Sequence, residues 1–177
     1  MDKYDDIIIR RLTLDDLDGL TAYLGNLGES CRKRFGPHPF DHDTLFNIFS
    51  DLTRNIGFIA VEVSSQRIIA YAIIKLGFLD HDSDRLQSYG LQLSREKDST
   101  FAPSVADDWQ GRGIGKSMFG LILKELKTRG IKRIILWGGV QSDNEPAVNY
   151  YKRLGFQTLG QFEYFGWNYD MMFLIEP

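Results

Sequence analysis

The segment Gln110-Gly111-Arg112-Gly113-Ile114-Gly115-Lys116-Ser117 gathers glycines, cations and a hydroxyl at the head of an amphipathic stretch. Glycine lets the backbone adopt positive φ and come close to a ligand. A helix starting there presents backbone N–H groups without intrahelical partners, and its dipole adds positive potential. Such a turn suits a phosphate or pyrophosphate. Two phosphate motifs fail on spacing. A Walker A loop needs glycine where Gln110 stands, although Gly115-Lys116-Ser117 would supply its end. A dinucleotide fingerprint read from Gly111 and Gly113 needs glycine where Lys116 stands.

A third pattern, Gln/Arg-x-x-Gly-x-Gly/Ala, is filled by Gln110, Gly113 and Gly115. Alone, it is also what a helix start closed by glycines for packing would show. A second block lies downstream. Asn144-Glu-Pro-Ala147-Val-Asn-Tyr150-Tyr151-Lys-Arg-Leu-Gly155-Phe156 fits Asn-x-x-Ala-x-x-x-Tyr-x-x-x-Gly-Phe at every key position. The two blocks, with strand-like Arg133–Trp137 between them and Trp109 ahead of the turn, resemble the GCN5-related N-acetyltransferase (GNAT) superfamily. The resemblance covers Thr100–Phe156, and beyond it only the order of strands and helices agrees. Asp107 departs from it, since the family usually has proline there.

The resemblance implies an α/β GNAT fold. Its sheet is mixed and mostly antiparallel, with about seven strands flanked by helices and a splay between strands four and five. It implies acetyl-CoA as co-substrate, no metal, and an amine-bearing acceptor, either a small molecule or a peptide or protein. Pantetheine would lie between the strands matching Thr100–Ala106 and Arg133–Gly138. Pro103, with no N–H to donate, and Gly138-Gly139 fit a place where strand pairing yields, although ordinary strand ends would read the same way. The N–H of Val105 would polarise the thioester carbonyl as charge develops on it. Gln110, Gly111, Arg112, Gly113, Ile114, Gly115, Lys116 and Ser117 would hold the pyrophosphate. Asn144 would contact the pantetheine arm and could cap its helix as well. Tyr151 would act as general acid toward the leaving thiolate, whose thiol titrates at about 8.5. Tyr150 faces elsewhere, because adjacent helical residues do not share a face. Packing as a core aromatic is the plainer use of Tyr151.

The base that deprotonates the acceptor is not assigned. An alkyl amine with a pKa of about 10.4 is about 0.1% neutral or less at pH 7, so a base or water relay helps. Many GNAT proteins place a Glu on the strand before the glycine turn, yet Phe101–Ala106 contains no acid. Glu62, Asp98, Asp143 and His38 are the candidates from flanking elements. The missing acid leaves an alternative, a non-catalytic module that binds and senses acyl-CoA. A nucleotide-binding protein using Gly115-Lys116-Ser117 is a third reading, against which Gln110 counts.

Other clusters carry less. His38 and His42, with Asp41 and Asp43, have metal-like spacing, but Pro37 and Pro39 make the segment a loop. Asp80, Asp82 and Asp84 imitate a calcium loop that lacks its glycine, at Arg85, and its closing Glu, at Leu91. Arg32-Lys33-Arg34-Phe35 is a solvated helix face or a contact to the adenosine 3′-phosphate or an anionic acceptor. Phe162, Tyr164, Phe165, Trp167 and Tyr169 read first as core packing of the last two strands, and second as an acceptor pocket.

The elements that must position these residues are read from periodicity. Ile7–Leu12 is a strand. Thr13 starts a helix that Gly25 ends, and Ser30–Asp43 is irregular. A second helix starts at Asp43-Thr44 with Leu45, Phe46, Phe49 and Leu52 on its apolar side. Gly57–Val63 and Arg67–Leu76 form a hairpin across Ser64-Ser65-Gln66. Asp80–Ser99 reads as a long loop, with a short strand near Tyr89–Leu93. Thr100–Ala106 is a strand, Ile114–Thr128 an amphipathic helix, and Ile131–Trp137 a buried strand. Asn144–Leu154 is a helix with Pro146 in its first turn. Phe156–Phe165 and Tyr169–Ile175 are a closing strand pair.

The 177 residues fit a single domain, 1–177, and a hydrophobic share of 43% suffices for a core. A net charge of −3 argues against a general grip on nucleic acid, which needs clustered positive charge. The single cysteine, Cys31, excludes an internal disulfide framework. The opening Met1–Asp6 does not read as a signal peptide, and no apolar run is long enough to span a membrane. These features lead us to expect a cytoplasmic protein. A homodimer is compatible with the resemblance.

Overall fold

A computed structural model describes residues 6–51 and 53–176. Leu52 and most of the opening Met1–Asp6, on which two of the expectations above rest, lie outside the described residues. Among the described residues one sheet holds eight strands, β1 (Ile7–Arg11), β2 (Asn55–Glu62), β3 (Arg67–Leu76), β4 (Asp98–Val105), β5 (Arg133–Leu136), β6 (Val140–Gln141), β7 (Gln157–Glu163) and β8 (Trp167–Leu174), in the order β1-β2-β3-β4-β5-β8-β6 with β7 paired to β8. By contacts the chain divides into two compact units.

The first unit comprises Met1–Ile74 and Ala102–Ile122. In it β1 (Ile7–Arg11) pairs antiparallel with β2 (Asn55–Glu62), from Ile7↔Glu62 to Arg11↔Phe58. Thr13 opens the next turn through a capping box with Asp16, whose carboxylate also takes both Arg10 NH groups at 2.7 Å. Helix α1 (Leu17–Gly25) buries Leu17, Leu20, Tyr23 and Leu24, the helical period expected of one apolar face. A short helix α2 (Glu29–Arg34) occupies part of the segment expected to be irregular. Helix α3 (His42–Ser50) starts at Asp41, whose carboxylate accepts from Thr44 N at 2.9 Å, and it buries Leu45 and Phe49. Strand β3 (Arg67–Leu76) is buried continuously from Ile68 to Ile74. Such a run marks a strand covered on both faces.

The second unit comprises Lys75–Phe101 and Leu123–Pro177. It holds α4 (Ser83–Ser88), β5 (Arg133–Leu136), β6 (Val140–Gln141), α6 (Glu145–Leu154), β7 (Gln157–Glu163) and β8 (Trp167–Leu174). Strand β4 (Asp98–Val105) and helix α5 (Ile114–Thr128) each run from one unit into the other.

Two expectations change in the second unit. The long loop Asp80–Ser99 contains a helix, and Tyr89–Leu93 is not a strand. The helix has tertiary partners that the local sequence does not announce. Leu86 is buried, and Arg85 forks onto the buried Asp170 of β8 at 2.7 and 3.1 Å. Arg85 also reaches Asp82 at 2.8 Å and lies 3.7 Å from the centroid of the Phe162 ring. The closing strands are the second case, because Tyr164, Phe165 and Trp167 at their turn are exposed rather than core.

No helix among the described residues is long and apolar enough to cross a membrane. Nor do the described residues hold any group of three or more His, Cys, Asp or Glu that could bind a metal ion.

Candidate functional site

Strand β4 pairs in parallel with β5 over four residues only, from Asp98↔Arg133 to Phe101↔Leu136. Trp137 N donates to Phe101 O at 3.0 Å just past the last pair, and β5 ends there while β4 continues to Val105. Pro103 lies in that continuation, where a missing N–H costs no β5 bond.

In the first unit, Val105 is followed by a 3-10 turn at Asp107–Trp109 and then by the glycines. Gly111 and Gly113 have φ of 72° and 88°, a region in which most side chains are strained. A Cβ at Gly111 would meet nothing within 4 Å, so conformation rather than crowding requires glycine there. Ser117 N donates to Gly113 O at 3.1 Å, starting the hydrogen-bond ladder of α5. Helix geometry therefore leaves the N–H groups of Ile114, Gly115 and Lys116 without intrahelical acceptors. Ile114 and Gly115 are buried and Lys116 is exposed. This is the donor arrangement that suits a phosphate at a helix head.

Two of the expected binding residues use their side chains to shape the turn. Gln110 Nε2 donates to Val105 O at 3.2 Å and to Asp107 Oδ1 at 3.1 Å, so it ties the end of β4 to the 3-10 turn. Arg112 donates to Asp108 O at 2.9 Å and lies over the Trp109 ring at 4.5 Å. Asp108 in turn accepts both terminal nitrogens of Arg67, at 2.8 and 2.9 Å. Asp107, where the resemblance has proline, lies against Gly28. A Cβ at Gly28 would come within 2.2 Å of the Asp107 carboxylate.

In the second unit, Asn144 precedes α6 and its carbonyl accepts Val148 N at 3.0 Å. Its side chain makes no capping hydrogen bond, so capping does not explain the amide. Tyr151 lies two helical turns on, at the same face as Asn144. It is half-buried, with its ring 5.2 Å from Tyr150 and 5.5 Å from Phe156. Burial pushes its phenol pKa well up, and the adjacent Tyr150 adds to the shift. Tyr151 therefore holds its proton at neutral pH.

Of the candidate bases, Asp98 is taken up by structure. It is buried and accepts Arg133 twice, at 2.8 and 2.9 Å, and Ser94 N at 2.8 Å. Glu62 accepts a hydrogen bond from Ser65 in the β2–β3 turn. Asp143 is exposed in the turn before α6. His38 is half-buried in the first unit, between prolines and beside Phe40 and Tyr71. Its Nδ1 lies 2.7 Å from Pro39 O and its Nε2 2.9 Å from Tyr71 Oη. The carbonyl can only accept, so Nδ1 carries the proton and Nε2 accepts from the tyrosine. Burial lowers the imidazole pKa, and His38 stays neutral at pH 7.

Gly138 and Gly139, expected where backbone yields to ligand, both have positive φ, 65° and 73°. A Cβ at Gly139 would come within 2.7 Å of Tyr169 O, which gives that glycine a packing reason of its own. Arg32, in the basic run, is exposed and donates to the backbone carbonyls of Leu27, at 3.3 Å, and Gly25.

The family described as Acetyltransferase (GNAT) family matches residues 27–156. Among curated relatives, mycothiol acetyltransferase from Corynebacterium jeikeium is 41% identical over 71 residues. The match takes in 37% of this chain and 20% of that relative, so the chain spans about a fifth of its length. Among solved structures, the ribosomal-protein-S5-alanine acetyltransferase of Vibrio fischeri aligns with a TM-score of 0.75 at 12% identity, covering 98% of this chain and 95% of that one. A Salmonella typhimurium structure, yncA, described with acetyl-CoA as its cofactor, aligns with a TM-score of 0.72 at 16% identity. It covers 98% of this chain and 96% of that one. At such identities the structural likeness speaks for the fold.

Proposed function

Because the chain belongs to the acetyltransferase (GNAT) family, we propose that it transfers the acetyl group of acetyl-CoA to a primary amine by direct attack in a ternary complex. The observation that carries the reading is the glycine turn at the head of α5, which offers N–H donors from Ile114 to Lys116 to a pyrophosphate. The acyl donor supplies an activated carbonyl. The amine nitrogen forms a bond to that carbon and gives up one proton to water, the carbon–sulfur bond breaks, and the sulfur leaves as thiolate.

In this reading Val105 N–H stabilises the negative charge that develops on the carbonyl oxygen. Asn144 holds the pantetheine arm through its side-chain amide. Tyr151 gives its proton to the leaving sulfur and is reprotonated from solvent, the burial that raises its pKa making it a hydrogen-bond donor before it is an acid. The residues from Gln110 to Ser117 hold the pyrophosphate, with Gln110 and Arg112 bracing the backbone that does so. The acceptor is an amine on a small molecule, peptide or protein. The whole chain acts as one GNAT domain in the cytoplasm.

Calorimetric titration with acetyl-CoA, free CoA and ATP tests the donor site. Micromolar binding of both CoA species without ATP is the expected result, and absence of CoA binding would remove the enzyme assignment. Release of CoA with an amine panel then measures transfer. Tyr151→Phe should lower turnover at least tenfold with nearly unchanged acetyl-CoA affinity. Undiminished turnover would withdraw its role as acid.

A second reading is favoured by β4 itself. Its one acid, Asp98, is consumed by Arg133, which suits a module that binds acyl-CoA without transferring it. Binding of acetyl-CoA with no CoA release for any amine would select that reading.

A further inference from the structure

One buried side-chain polar atom among the described residues has no hydrogen-bond partner, the hydroxyl of Tyr150. Native proteins pair nearly all such groups, because an unmet buried donor forfeits the hydrogen bonds it made to water. Tyr150 lies on α6 at the flank of its buried face, and although adjacent helical residues were expected to face apart, its ring turns toward Tyr151. Val148 is buried, Ala147 and Tyr151 are half-buried, and Glu145, Pro146, Asn149, Lys152 and Arg153 are exposed. The ring lies beside that of Tyr151, centroids 5.2 Å apart, and its hydroxyl is buried. Burial alone raises its pKa, and no neighbouring charge contributes. The group is therefore a neutral O–H in apolar surroundings, suited to a neutral acceptor oxygen and ill suited to an ammonium ion.

We propose that the Tyr150 hydroxyl is a substrate-binding donor whose partner is a carbonyl oxygen of the acyl donor, either of the pantetheine amides or of the thioester. The inference rests on the acetyl-CoA reading above and adds a second tyrosine to it. Tyr151 and Tyr150 then divide the work on one helix. The first delivers a proton during the reaction, and the second contributes binding without transferring anything. Asn144, two turns before Tyr151, meets the same arm from the start of the helix. The unmet hydroxyl costs stability in the free protein, and that cost is recovered when ligand binds.

Tyr150→Phe tests this with two readouts that a structural hydroxyl would move differently. Removing an unpartnered buried hydroxyl should leave the melting temperature unchanged or raise it by about 2–4 °C. The same substitution should weaken acetyl-CoA binding by about 5- to 20-fold in calorimetry, with kcat changed far less than KM. Parallel titration with free CoA separates the two carbonyl sources. Loss for both ligands assigns a pantetheine amide, and loss for acetyl-CoA alone assigns the thioester. Unchanged affinity for both ligands would overturn the proposal, and so would a clear fall in melting temperature, which would reveal a structural partner. If the unsubstituted protein binds no CoA species, the acetyl-CoA reading itself fails. That outcome is distinct from a variant whose binding matches the unsubstituted protein.

Discussion

His38 with Tyr71 in one compact unit, and Arg85 with Asp170 in the other, are both polar pairs withdrawn from water, but they are made of different chemistry. The first is a neutral imidazole accepting from a neutral phenol. Tyr23 and Ser104 repeat the pattern in the same unit, hydroxyl to hydroxyl at 3.0 Å. The second is a guanidinium forked onto a carboxylate, with Asp82 as a further buried acid and Tyr89 donating to Asp170 at 3.0 Å. Asp98 and Arg133 repeat that pattern. Of the buried acids, Asp82, Asp98 and Asp170 all fall in the second unit. The unit that carries the glycine turn thus buries polarity at little electrostatic risk. The unit that carries Asn144 and Tyr151 depends on charges that must stay paired.

The comparison would break first at Arg85. Arg85→Leu leaves Asp82 and Asp170, with side chains 5% and 1% exposed, without their cation. A loss of about 3–5 kcal/mol in urea unfolding is expected. A loss near 1 kcal/mol would mean that the two units do not differ in kind. Tyr71→Phe is the neutral counterpart. It strands one half-buried nitrogen of His38, so about 1 kcal/mol is expected in the same measurement. The smallest effect concerns a charge that the first unit keeps near its surface. The hydrogen bonds from Arg10, followed by those from Thr13, hold the Asp16 carboxyl down to about 2. The native pKa lies below the unfolded value, so its contribution is intact above about pH 4 and is lost as pH falls toward 2. Because Arg10 is 43% exposed, screening limits the contribution to about 0.5 kcal/mol. Asp16→Asn should flatten that part of the stability–pH curve, and an unchanged slope would assign it to other carboxylates.

How far these features could be read beforehand follows from their range along the chain. Helix α5 has the bounds expected from its period, Ile114–Thr128, because apolar spacing and glycine stops are local signals. The β2–β3 hairpin and α6 were legible for the same reason. Helix α4 was not, since Arg85 finds Asp170 eighty-five residues away and the intervening polar stretch reads as loop. The one local hint is Asp82 and Arg85, three residues apart and paired on a single helical turn. Short α2 and the two-residue β6 fall below the length at which periodicity speaks. At the candidate site, residue types and spacing pointed to the turn, Asn144 and Tyr151. They did not reveal that the Gln110 amide is spent on Val105 and Asp107, or that the Tyr150 hydroxyl lacks a partner. Those facts depend on where other atoms lie in space.

The stacking of Arg112 on Trp109 has an optical consequence. A cation held 4.5 Å from an indole centroid imposes an electric field on the chromophore, and excitation and emission energies follow that field. Any anion settling at the adjacent glycines would offset part of it. The other two tryptophans, Trp137 and Trp167, belong to the other compact unit and can be told apart by replacement with phenylalanine. The chain thus carries its own spectroscopic gauge of turn occupancy, with no attached dye.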